Sequence, residues 1–510
     1  MEDTILKKRD LNWNMYSLVL IGLILVLQIF HSYQYPQFLD EYFHLQSARS
    51  IEYWKGFSCV DLLQTAPVGR PNLYPPFYHS LIHIIHKVGV DWITIAKIFS
   101  VLIVPLFCLV FYSIFRNLIS DVFGFVFVLL VFSNYGFFNS LINNIPATIS
   151  IIFWGVSFFL FIKNKFLTSS LFLSLCFYTH PFLGYVEFIL LFIWAILSRK
   201  SKAVYYLLSP VIASPFIFHQ LYNRKYFSFQ NLGENLFVEF RIVEIALCVA
   251  GIIVAFVSKD KREEIKLFLL AIALGIGFSA VSGYKYRFFV SQGFLPVIFF
   301  AAYFICYLLN KMCNLKKKAI FILGIFIFFT FLSPSFLYPG DKKKLILFDS
   351  FFVNSLKDVY SQKSQGLSIW SPKFYNEVIS VIRENTNEHD IIFSNMQSLS
   401  VMFSLLAERP TSSAMFNEAK PFSDFDKVDV SRMIIYLKYL EPKKDLEVLN
   451  YFSKRNFQLI EDLPSFYIFR NPRPLTIKGV DKQIIINLKL LYGFWIAIFC
   501  LIIFSYARKK

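Results

Sequence analysis

Two adjacent carboxylates, Asp40 and Glu41, follow the first long apolar stretch of the chain, within the sequence Phe-Leu-Asp-Glu-Tyr-Phe-His-Leu. Adjacent residues of a helix point about 100° apart, so these two side chains cannot face one ligand in the same way. We therefore predict different roles for them: one acts as a general base, and the other binds a metal ion, orients a sugar or caps the next helix. A purely structural use stays open as well, because an acidic pair stabilises the N-terminus of a helix.

A second polar motif occupies positions 70–79, with the sequence Arg-Pro-Asn-Leu-Tyr-Pro-Pro-Phe-Tyr-His. The Tyr-Pro-Pro turn leads into an amphipathic stretch at 77–87, which predicts a helix lying along a membrane surface. His79, His83 and His86 fall on one face of this helix, a spacing that permits metal binding. A polar face on an interfacial helix is the simpler explanation of the same spacing.

The elements that must position these motifs are those of a membrane protein. The 510 residues are 56% hydrophobic, 19% aromatic and 17% charged, whereas soluble chains average ~45–50% apolar and ~25% charged residues. This composition excludes a disordered, coiled-coil, collagen-like or ordinary cytosolic protein. Because a spanning helix needs roughly 20 apolar residues, we predict about twelve such helices, at 15–35, 91–115, 121–139, 145–162, 167–180, 182–198, 203–219, 240–257, 265–281, 288–310, 319–337 and 484–506.

The distribution of basic residues predicts the orientation of the chain. Lys and Arg concentrate in cytoplasmic loops, and with Lys7, Lys8 and Arg9 inside, the inner segments carry more of them than the longer outer loops do. Both termini are therefore predicted to be cytoplasmic, in a multi-pass protein of the cell membrane. The net charge of +17 is thus a signal of topology and not of nucleic-acid binding.

Four ionisable residues fall inside predicted spans, toward their outer ends: Lys97, Glu187, Glu244 and Lys489. Charges within a span are costly and usually face a cavity or a partner. Snorkelling toward the interface explains each of them alone. Together they indicate a polar cavity open to the outside.

The chain divides into parts of different composition. Residues 1–340 form the predicted multi-span part, with a long first outer loop at 36–90. Residues 341–482 have helical periodicity at 374–385 and strand-like runs at 390–394, 433–437, 457–460 and 466–469. This pattern predicts a small extracytoplasmic α/β domain, since it follows an odd number of spans. Residues 483–510 are predicted to form the final span and a basic cytoplasmic tail.

These features resemble the membrane glycosyltransferases of the GT-C superfamily, in particular the protein O-mannosyltransferase and aminoarabinose-transferase type. The likeness rests on the Asp-Glu pair after the first span, the long outer loop and the Tyr-Pro-Pro-Phe-Tyr-His segment; at motif level it covers about 36–80 and elsewhere only the architecture. It implies a polytopic α-helical GT-C-like fold and a sugar donor linked to polyprenyl phosphate. It also implies transfer on the outer face and a carboxylate base, a role that we assign to Asp40 with Glu41 as its neighbour. The Trp-Trp-Asp signature of oligosaccharyltransferases is absent, which disfavours that branch.

The implied chemistry assigns roles to further residues. Cations near the outer interface would stabilise the departing phosphate, and Arg binds phosphate through two parallel hydrogen bonds. The predicted phosphate-binding residues are Tyr284, Lys285, Arg287 and, as a second choice, Arg224. An isolated Arg in a short loop also serves as a membrane anchor. The residues predicted to line the substrate cavity are His44, Tyr74, His79, His180 and Glu187.

Cofactor and mechanism are less constrained by the sequence. A divalent cation (Mg²⁺ or Mn²⁺) would neutralise the leaving phosphate, but no residue set has ligand spacing specific enough to require one. A single base favours inversion at the sugar, because retention needs a nucleophile close to an acid. The expected partners are the polyprenyl-phosphate sugar, membrane lipids and a protein, lipid or glycan acceptor, with no nucleic acid.

Two other classes of protein stay open. A transporter or lipid flippase would use the outer acids to couple ions, and it predicts mid-membrane charges and repeat symmetry, neither of which is evident. A non-catalytic envelope-assembly protein would bind partners through the outer domain. That class predicts that Asp40 and Glu41 tolerate replacement by Ala.

Overall fold

The computed structural model describes residues 12–31, 39–227, 238–260, 262–282, 292–338, 344–354, 356–357, 375–413, 419–439, 441–477 and 484–507. Helices dominate this part of the chain. They are α1 Trp13–His31, α2 Leu39–Tyr53, α3 Pro76–Lys87, α4 Trp92–Leu118, α5 Asp121–Ser133, α6 Tyr135–Asn143, α7 Ile145–Ile162, α8 Phe166–Thr179, α9 Leu183–Arg199, α10 Leu208–Tyr222, α11 Ile242–Val257, α12 Glu263–Ser282, α13 Leu295–Lys311, α14 Leu315–Ile327, α15 Asn376–Asn385, α16 Gln397–Ala407, α17 Pro442–Lys454 and α18 Leu488–Ala507.

Every predicted apolar run overlaps a helix of the structure, so the helical nature of these runs is confirmed. Among the described residues, six helices are long and apolar enough to cross a membrane, or seven if the bent pair α5 and α6 forms one span. The chain is therefore a helical membrane protein. The predicted number of about twelve spans and the cytoplasmic position of both termini stay predictions.

Polar side chains set where the apolar helices begin. The Asp91 side chain accepts a hydrogen bond from the Thr94 amide at the start of α4, and Ser120 caps α5 in the same way. Asn134 accepts from the Phe137 amide at 2.9 Å and thereby starts α6 after an 83° bend. Such caps satisfy backbone amides that have no partner within the helix.

Phenylalanine side chains form the core of the helical bundle. Phe115 of α4 packs edge-on against Phe127 of α5, with ring centroids 4.7 Å apart. Phe268 of α12 stacks on Phe299 of α13 at 4.0 Å. Each fully buried aromatic ring contributes a large apolar area and a defined geometry, so much of the high aromatic content of the chain is core packing.

Short strands organise the remaining segments. They are β1 Gly56–Ser58, β2 Val60–Asp61, β3 Arg70–Pro71, β4 Val238–Phe240, β5 Ser335–Tyr338, β6 Lys344–Ile346, β7 Ile392–Ser394, β8 Met433–Leu437, β9 Gln458–Asp462, β10 Phe466–Arg470 and β11 Ile485–Asn487. β1 pairs antiparallel with β11. The first outer loop is thereby joined to the segment that enters the last helix.

Residues 375–471 contain a four-stranded sheet of order β7-β8-β10-β9, in which β7 runs parallel to β8 and the other pairs are antiparallel. We call this sheet, with α15 to α17, the C-terminal sheet unit. The predicted strand at 433–437 is confirmed without a shift, and the other three differ by one or two residues at their ends. That the unit forms a separate extracytoplasmic domain stays a prediction.

The C-terminal sheet unit contacts the first outer loop through α16. Gln46 Nε2 of α2 donates to Ser404 Oγ of α16 at 2.8 Å, and Arg49 Nη1 donates to the Ser404 carbonyl at 3.3 Å. The Thr411 amide donates to the Leu63 carbonyl at 2.8 Å. Helix α2 is therefore held between the membrane helices and the sheet unit.

Candidate active site

Asp40 and Glu41 lie in the first turn of α2 and have different surroundings. Glu41 is only 3% exposed, and Ser100 Oγ of α4 donates to its Oε1 at 2.7 Å. Asp40 is half-buried. The two carboxylates therefore differ in their surroundings: Glu41 is hydrogen-bonded to α4, whereas Asp40 has the more accessible side chain. The different roles predicted for them stay a prediction. Both also suit the N-terminus of a helix electrostatically.

Four of the five predicted cavity residues come together beside α2. His44 lies one turn after Asp40 and hence on the same face of the helix. His44 Nδ1 lies 3.0 Å from His79 Nε2 of α3. The Tyr74 ring centroid is 4.9 Å from that of His44, 5.3 Å from that of His79 and 6.0 Å from that of His180. We call His44, Tyr74, Tyr78, His79 and His180 the histidine cluster.

The members of the histidine cluster are not equally accessible. His79 is fully buried, at 0% exposure, while His44 is 4% exposed and Tyr74 is half-buried. His79 is thus more deeply buried than His44, and its predicted place in the cavity lining stays a prediction.

Burial keeps both histidine rings neutral. It lowers the pKa of His79 to about 3, and it lowers the pKa of His44 well below its usual range, with a smaller contribution from His79 and His180. Burial also raises the pKa of Tyr78, and the negative charge of Glu41 adds to that effect. At neutral pH His44, Tyr78 and His79 are thus neutral, buried hydrogen-bonding groups.

His180 both forms a helix-starting turn and lies beside Tyr74. Its Nδ1 accepts hydrogen bonds from the Phe182 and Leu183 amides at 3.3 and 3.1 Å, and so it forms the turn that starts α9. Its ring also lies beside Tyr74. Because Nδ1 is an acceptor, the neutral ring carries its proton on Nε2.

Glu187, the fifth predicted cavity residue, is hydrogen-bonded between helices of the bundle, and its place in the cavity stays a prediction. It is buried in α9, and Ser150 Oγ of α7 donates to its Oε2 at 2.6 Å. Among the described residues, its hydrogen bonds join α9 to its neighbouring helices and not to the histidine cluster. The sequence singled out Glu187 because it is an acid within an apolar helix. In the structure a neighbouring helix supplies its hydrogen-bond partner.

The predicted phosphate-binding residues are only partly described. Tyr284, Lys285 and Arg287 lie outside the described residues. Arg224 is exposed at the start of a short 3-10 turn, Arg224–Tyr226. The Lys420 amide donates to the Tyr226 carbonyl at 2.8 Å, so this turn docks on the segment that follows α16.

The end of α10 brings Arg224 toward the first outer loop. His219 Nε2 donates to the Asn72 carbonyl at 3.0 Å, and Gln220 Nε2 donates to the Leu73 carbonyl at 3.1 Å. Arg224 therefore lies close in sequence to contacts with the Arg-Pro-Asn-Leu-Tyr motif. The predicted chemistry requires a cation near this loop, to stabilise the departing phosphate.

Two residues of α4 complete the site, and only one carried a signal in the sequence. Ser100 binds Glu41, yet a serine in an apolar helix is too common to be noticed. Lys97 lies one turn earlier on the same face of α4 and is half-buried. Lys97 did carry a signal in the sequence, because an ionisable residue within a predicted span is unusual.

The three histidines of α3 separate into different environments. His79 belongs to the histidine cluster, His83 Nδ1 hydrogen-bonds with the Tyr492 hydroxyl, and His86 Nδ1 donates to the Val90 carbonyl at 2.8 Å. Within the described ranges, no group of three His, Cys, Asp or Glu side chains could hold a metal ion. The three histidines therefore have different hydrogen-bond partners, although they share one face of α3.

The fold is shared with known membrane glycosyltransferases. No family model matches the sequence, and no curated protein matches it. Among solved structures, ArnT from Cupriavidus metallidurans, bound to undecaprenyl phosphate, aligns with a TM-score of 0.59 and 11% identity over 89% of this chain and 98% of ArnT. The archaeal oligosaccharyltransferase AglB from Archaeoglobus fulgidus, solved with an inhibitory peptide and a dolichol-phosphate, aligns at 0.56 and 10% identity over 83% of this chain and 69% of AglB.

A third similar structure is the arabinofuranosyltransferase AftD from Mycobacteria, with a TM-score of 0.55 and 9% identity over 90% of this chain and 40% of AftD. All three are GT-C glycosyltransferases, so the chain has a GT-C-like fold, and the predicted resemblance is confirmed at the level of the fold. At identities of 9 to 11% these alignments show the fold alone.

Proposed function

We propose that the protein is an integral-membrane glycosyltransferase that moves a sugar from a polyprenyl-phosphate-linked donor to an acceptor hydroxyl on the outer face of the membrane. The observation that carries the proposal is the position of Asp40 within a GT-C-like fold. It lies in the first turn of α2, one turn before His44, and beside a buried partner carboxylate. Similar structures bound to undecaprenyl phosphate and dolichol-phosphate support the choice of donor.

In the proposed reaction Asp40 is the general base. It removes the proton of the acceptor hydroxyl, and the oxygen attacks the anomeric carbon on the face opposite the phosphate. The bond between the anomeric carbon and the phosphate oxygen breaks, and polyprenyl phosphate leaves with the electron pair. The configuration at the sugar is therefore inverted. A base within reach of the acceptor contributes about 10²–10⁴-fold to such a step.

Glu41 has a positioning role in this proposal. Its hydrogen bond with Ser100 ties the first turn of α2 to α4. A hydrogen bond to a charged group contributes about 1.5–3 kcal/mol, which is sufficient to fix the orientation of one helical turn. Because Asp40 is the next residue, the same bond holds the proposed base at the membrane boundary.

The phosphate of the donor requires cations near this boundary. Arg224, Lys285, Arg287 and the hydroxyl of Tyr284 remain the proposed phosphate-binding groups, and Lys97 joins them because it lies one turn from Ser100. A Lys or Arg in this place would stabilise the negative charge that develops on the leaving oxygen. We propose no resident metal ion, and the proposed reaction is compatible with a divalent cation at the leaving phosphate.

The C-terminal sheet unit has a structural role in the same site. Its helix α16 contacts the second half of α2 through Ser404, so the unit restrains the helix that carries Asp40. We place this unit outside the cell membrane and both termini in the cytoplasm. The acceptor, whether protein, lipid or glycan, would approach between this unit and the membrane.

Sugar transfer by the purified full-length protein tests the proposal. Labelled polyprenyl-phosphate sugars and a crude envelope acceptor are supplied to the wild type and to Asp40→Asn at equal folded yield. We expect the variant to lose ~100-fold or more of its transfer rate. Asp91→Asn is the matched control, because it makes the same chemical change at an exposed helix cap where Asn serves equally well.

The outcomes separate the alternatives. Equal transfer by the wild type and Asp40→Asn would move the base elsewhere, with Glu41 next. No transfer by any variant, with any donor, would favour a transporter, a flippase or an envelope-assembly protein instead. Analysis of the anomeric configuration of the product tests inversion separately.

A further inference from the structure

In the hydrogen bond between His44 and His79 the proton can belong to either nitrogen, which gives two possible arrangements. His44 Nδ1 and His79 Nε2 are 3.0 Å apart, so one nitrogen donates and the other accepts. If His79 Nε2 donates, the other nitrogen of His79 is an acceptor and His44 carries its proton on Nε2. If His44 Nδ1 donates, His79 carries its proton on Nδ1 and His44 Nε2 has only a lone pair.

The surroundings of His79 decide between these arrangements. Its Nδ1 is fully buried and has no hydrogen-bond partner in the described part of the chain. A buried N–H without a partner is rarer in proteins than an acceptor without one. In the first arrangement this atom is an acceptor, whereas in the second it is a donor, so the first is favoured.

The intrinsic chemistry of imidazole favours the same arrangement. The neutral side chain of histidine prefers its proton on Nε2 over Nδ1. In the first arrangement both His44 and His79 are in the preferred form, and in the second neither is. Both rings are neutral because burial lowers their pKa values.

We infer that His79 is a positioning residue that holds His44 in the Nε2-protonated form, so that His44 donates a hydrogen bond to an oxygen of the polyprenyl-phosphate sugar. This inference rests on the proposed function for the identity of the ligand. His44 Nε2 has no hydrogen-bond partner within the described residues, and His44 lies on the face of α2 that carries Asp40. The Nε2–H group of His44 therefore belongs to the same side of α2 as the proposed base.

In this form His44 selects a ligand atom that accepts a hydrogen bond. A fixed N–H in a site with little water binds a phosphate oxygen or a sugar hydroxyl, and it does not bind a group that only donates. Because Nε2 already carries a proton, His44 cannot take the proton of the acceptor hydroxyl. It therefore does not compete with Asp40 as the base. His44 and Asp40 therefore divide the tasks of binding and deprotonation between them.

Nuclear magnetic resonance of ¹⁵N-histidine-labelled full-length protein in lipid nanodiscs tests the tautomer directly. Protonated and unprotonated ring nitrogens have well-separated ¹⁵N signals, and His44→Gln and His79→Gln assign the two residues by loss of signal. We expect His44 to have a protonated Nε2 and an unprotonated Nδ1. The opposite pattern would overturn the inference, whether or not the protein transfers sugar.

Ligand addition tests the second half of the inference. Polyprenyl phosphate without sugar is compared with polyprenyl-phosphate sugar, and we expect the His44 Nε2 signal to shift. A shift with both lipids assigns the bond to a phosphate oxygen, and a shift only with the sugar-bearing lipid assigns it to a sugar hydroxyl. Binding of either lipid with an unchanged Nε2 signal would contradict a contact with His44. Absence of binding by both lipids would contradict the proposed function, while the tautomer result would stand.

Two variants of His79 separate positioning from packing. Gln places an amide N–H near the former Nε2 and can still donate to His44, whereas Leu cannot donate. We expect His79→Leu to lower kcat/KM for the donor by ~10-fold, the scale of one lost hydrogen bond, and His79→Gln to restore most of it. Equal losses in both variants, with an unchanged His44 tautomer, would reduce His79 to a packing residue.

Discussion

Ser100 of α4 donates a 2.7 Å hydrogen bond to Glu41 of α2. Both side chains are buried, so the bond forms where water does not compete for either group. It links the helix that carries the proposed base to the long helix α4. The most direct test of the site therefore begins with Ser100 and leaves Asp40 itself unchanged.

Ser100→Ala should lower sugar transfer by ~10-fold, because loss of about 1.5 kcal/mol of hydrogen bonding loosens the first turn of α2. Ser113→Ala is the matched control, since Ser113 lies on the same helix, is exposed and bonds only within it. Transfer rates at equal folded yield provide the measurement. Similar activity in the two variants would mean that the Glu41 contact has no part in catalysis.

Removal of the contact between α2 and the C-terminal sheet unit should also reduce transfer. Gln46→Ala, Ser404→Ala and the double variant form a cycle around the 2.8 Å bond, and we expect a coupling energy of about 1 kcal/mol in unfolding experiments. Transfer should fall together in the three variants. Additive effects on stability would show that the two side chains act independently.

Acidification should destabilise the protein through His44 and His79. Their folded-state pKa values lie below the ordinary value near 6.5, at about 3 for His79. The unfolded chain thus binds protons as the pH falls below about 6.5, whereas the folded chain does not, so stability present above that pH is lost during acidification. From pH 7 to pH 5 the loss should be about 2 kcal/mol for His79, and His44 should add a loss in the same direction.

Thermal unfolding in detergent at pH 7 and pH 5 measures this effect. A variant with both His44→Gln and His79→Gln should lose most of the difference between the two pH values. His389→Gln serves as the control, because His389 is exposed on the C-terminal sheet unit. A pH dependence unchanged by the double substitution would assign it to other groups.

Gly56→Ala should disrupt the pairing between β1 and β11. A Cβ at this position would overlap the Ile486 carbonyl and crowd the Asn487 backbone, and steric overpacking of this kind costs about 1–3 kcal/mol. Gly493→Ala is the control, since the space around that residue is open. A lower unfolding temperature for Gly56→Ala alone is the expected result, and equal temperatures would contradict the close approach of the two strands.

The helices, the position of the carboxylate pair and the resemblance to GT-C enzymes could all be predicted from the sequence. Apolar runs form helices because each backbone bond is closed within the segment, and β8 at Met433–Leu437 follows from its β-branched and aromatic residues. The membrane class likewise follows from composition. All of these depend on local sequence.

Which side chains meet could not be predicted, because it depends on contacts between residues far apart in the chain. Glu41 and Ser100 are 59 residues apart, His44 and His79 are 35 apart, and Gln46 and Ser404 are 358 apart. Glu187 and Ser100 are both polar residues in apolar helices, yet the packing of the helices directs Ser100 to the site and Glu187 to a neighbouring helix. The partner of a polar side chain within a helix is set by the packing of whole elements, and that packing depends on the summed contacts of many apolar residues.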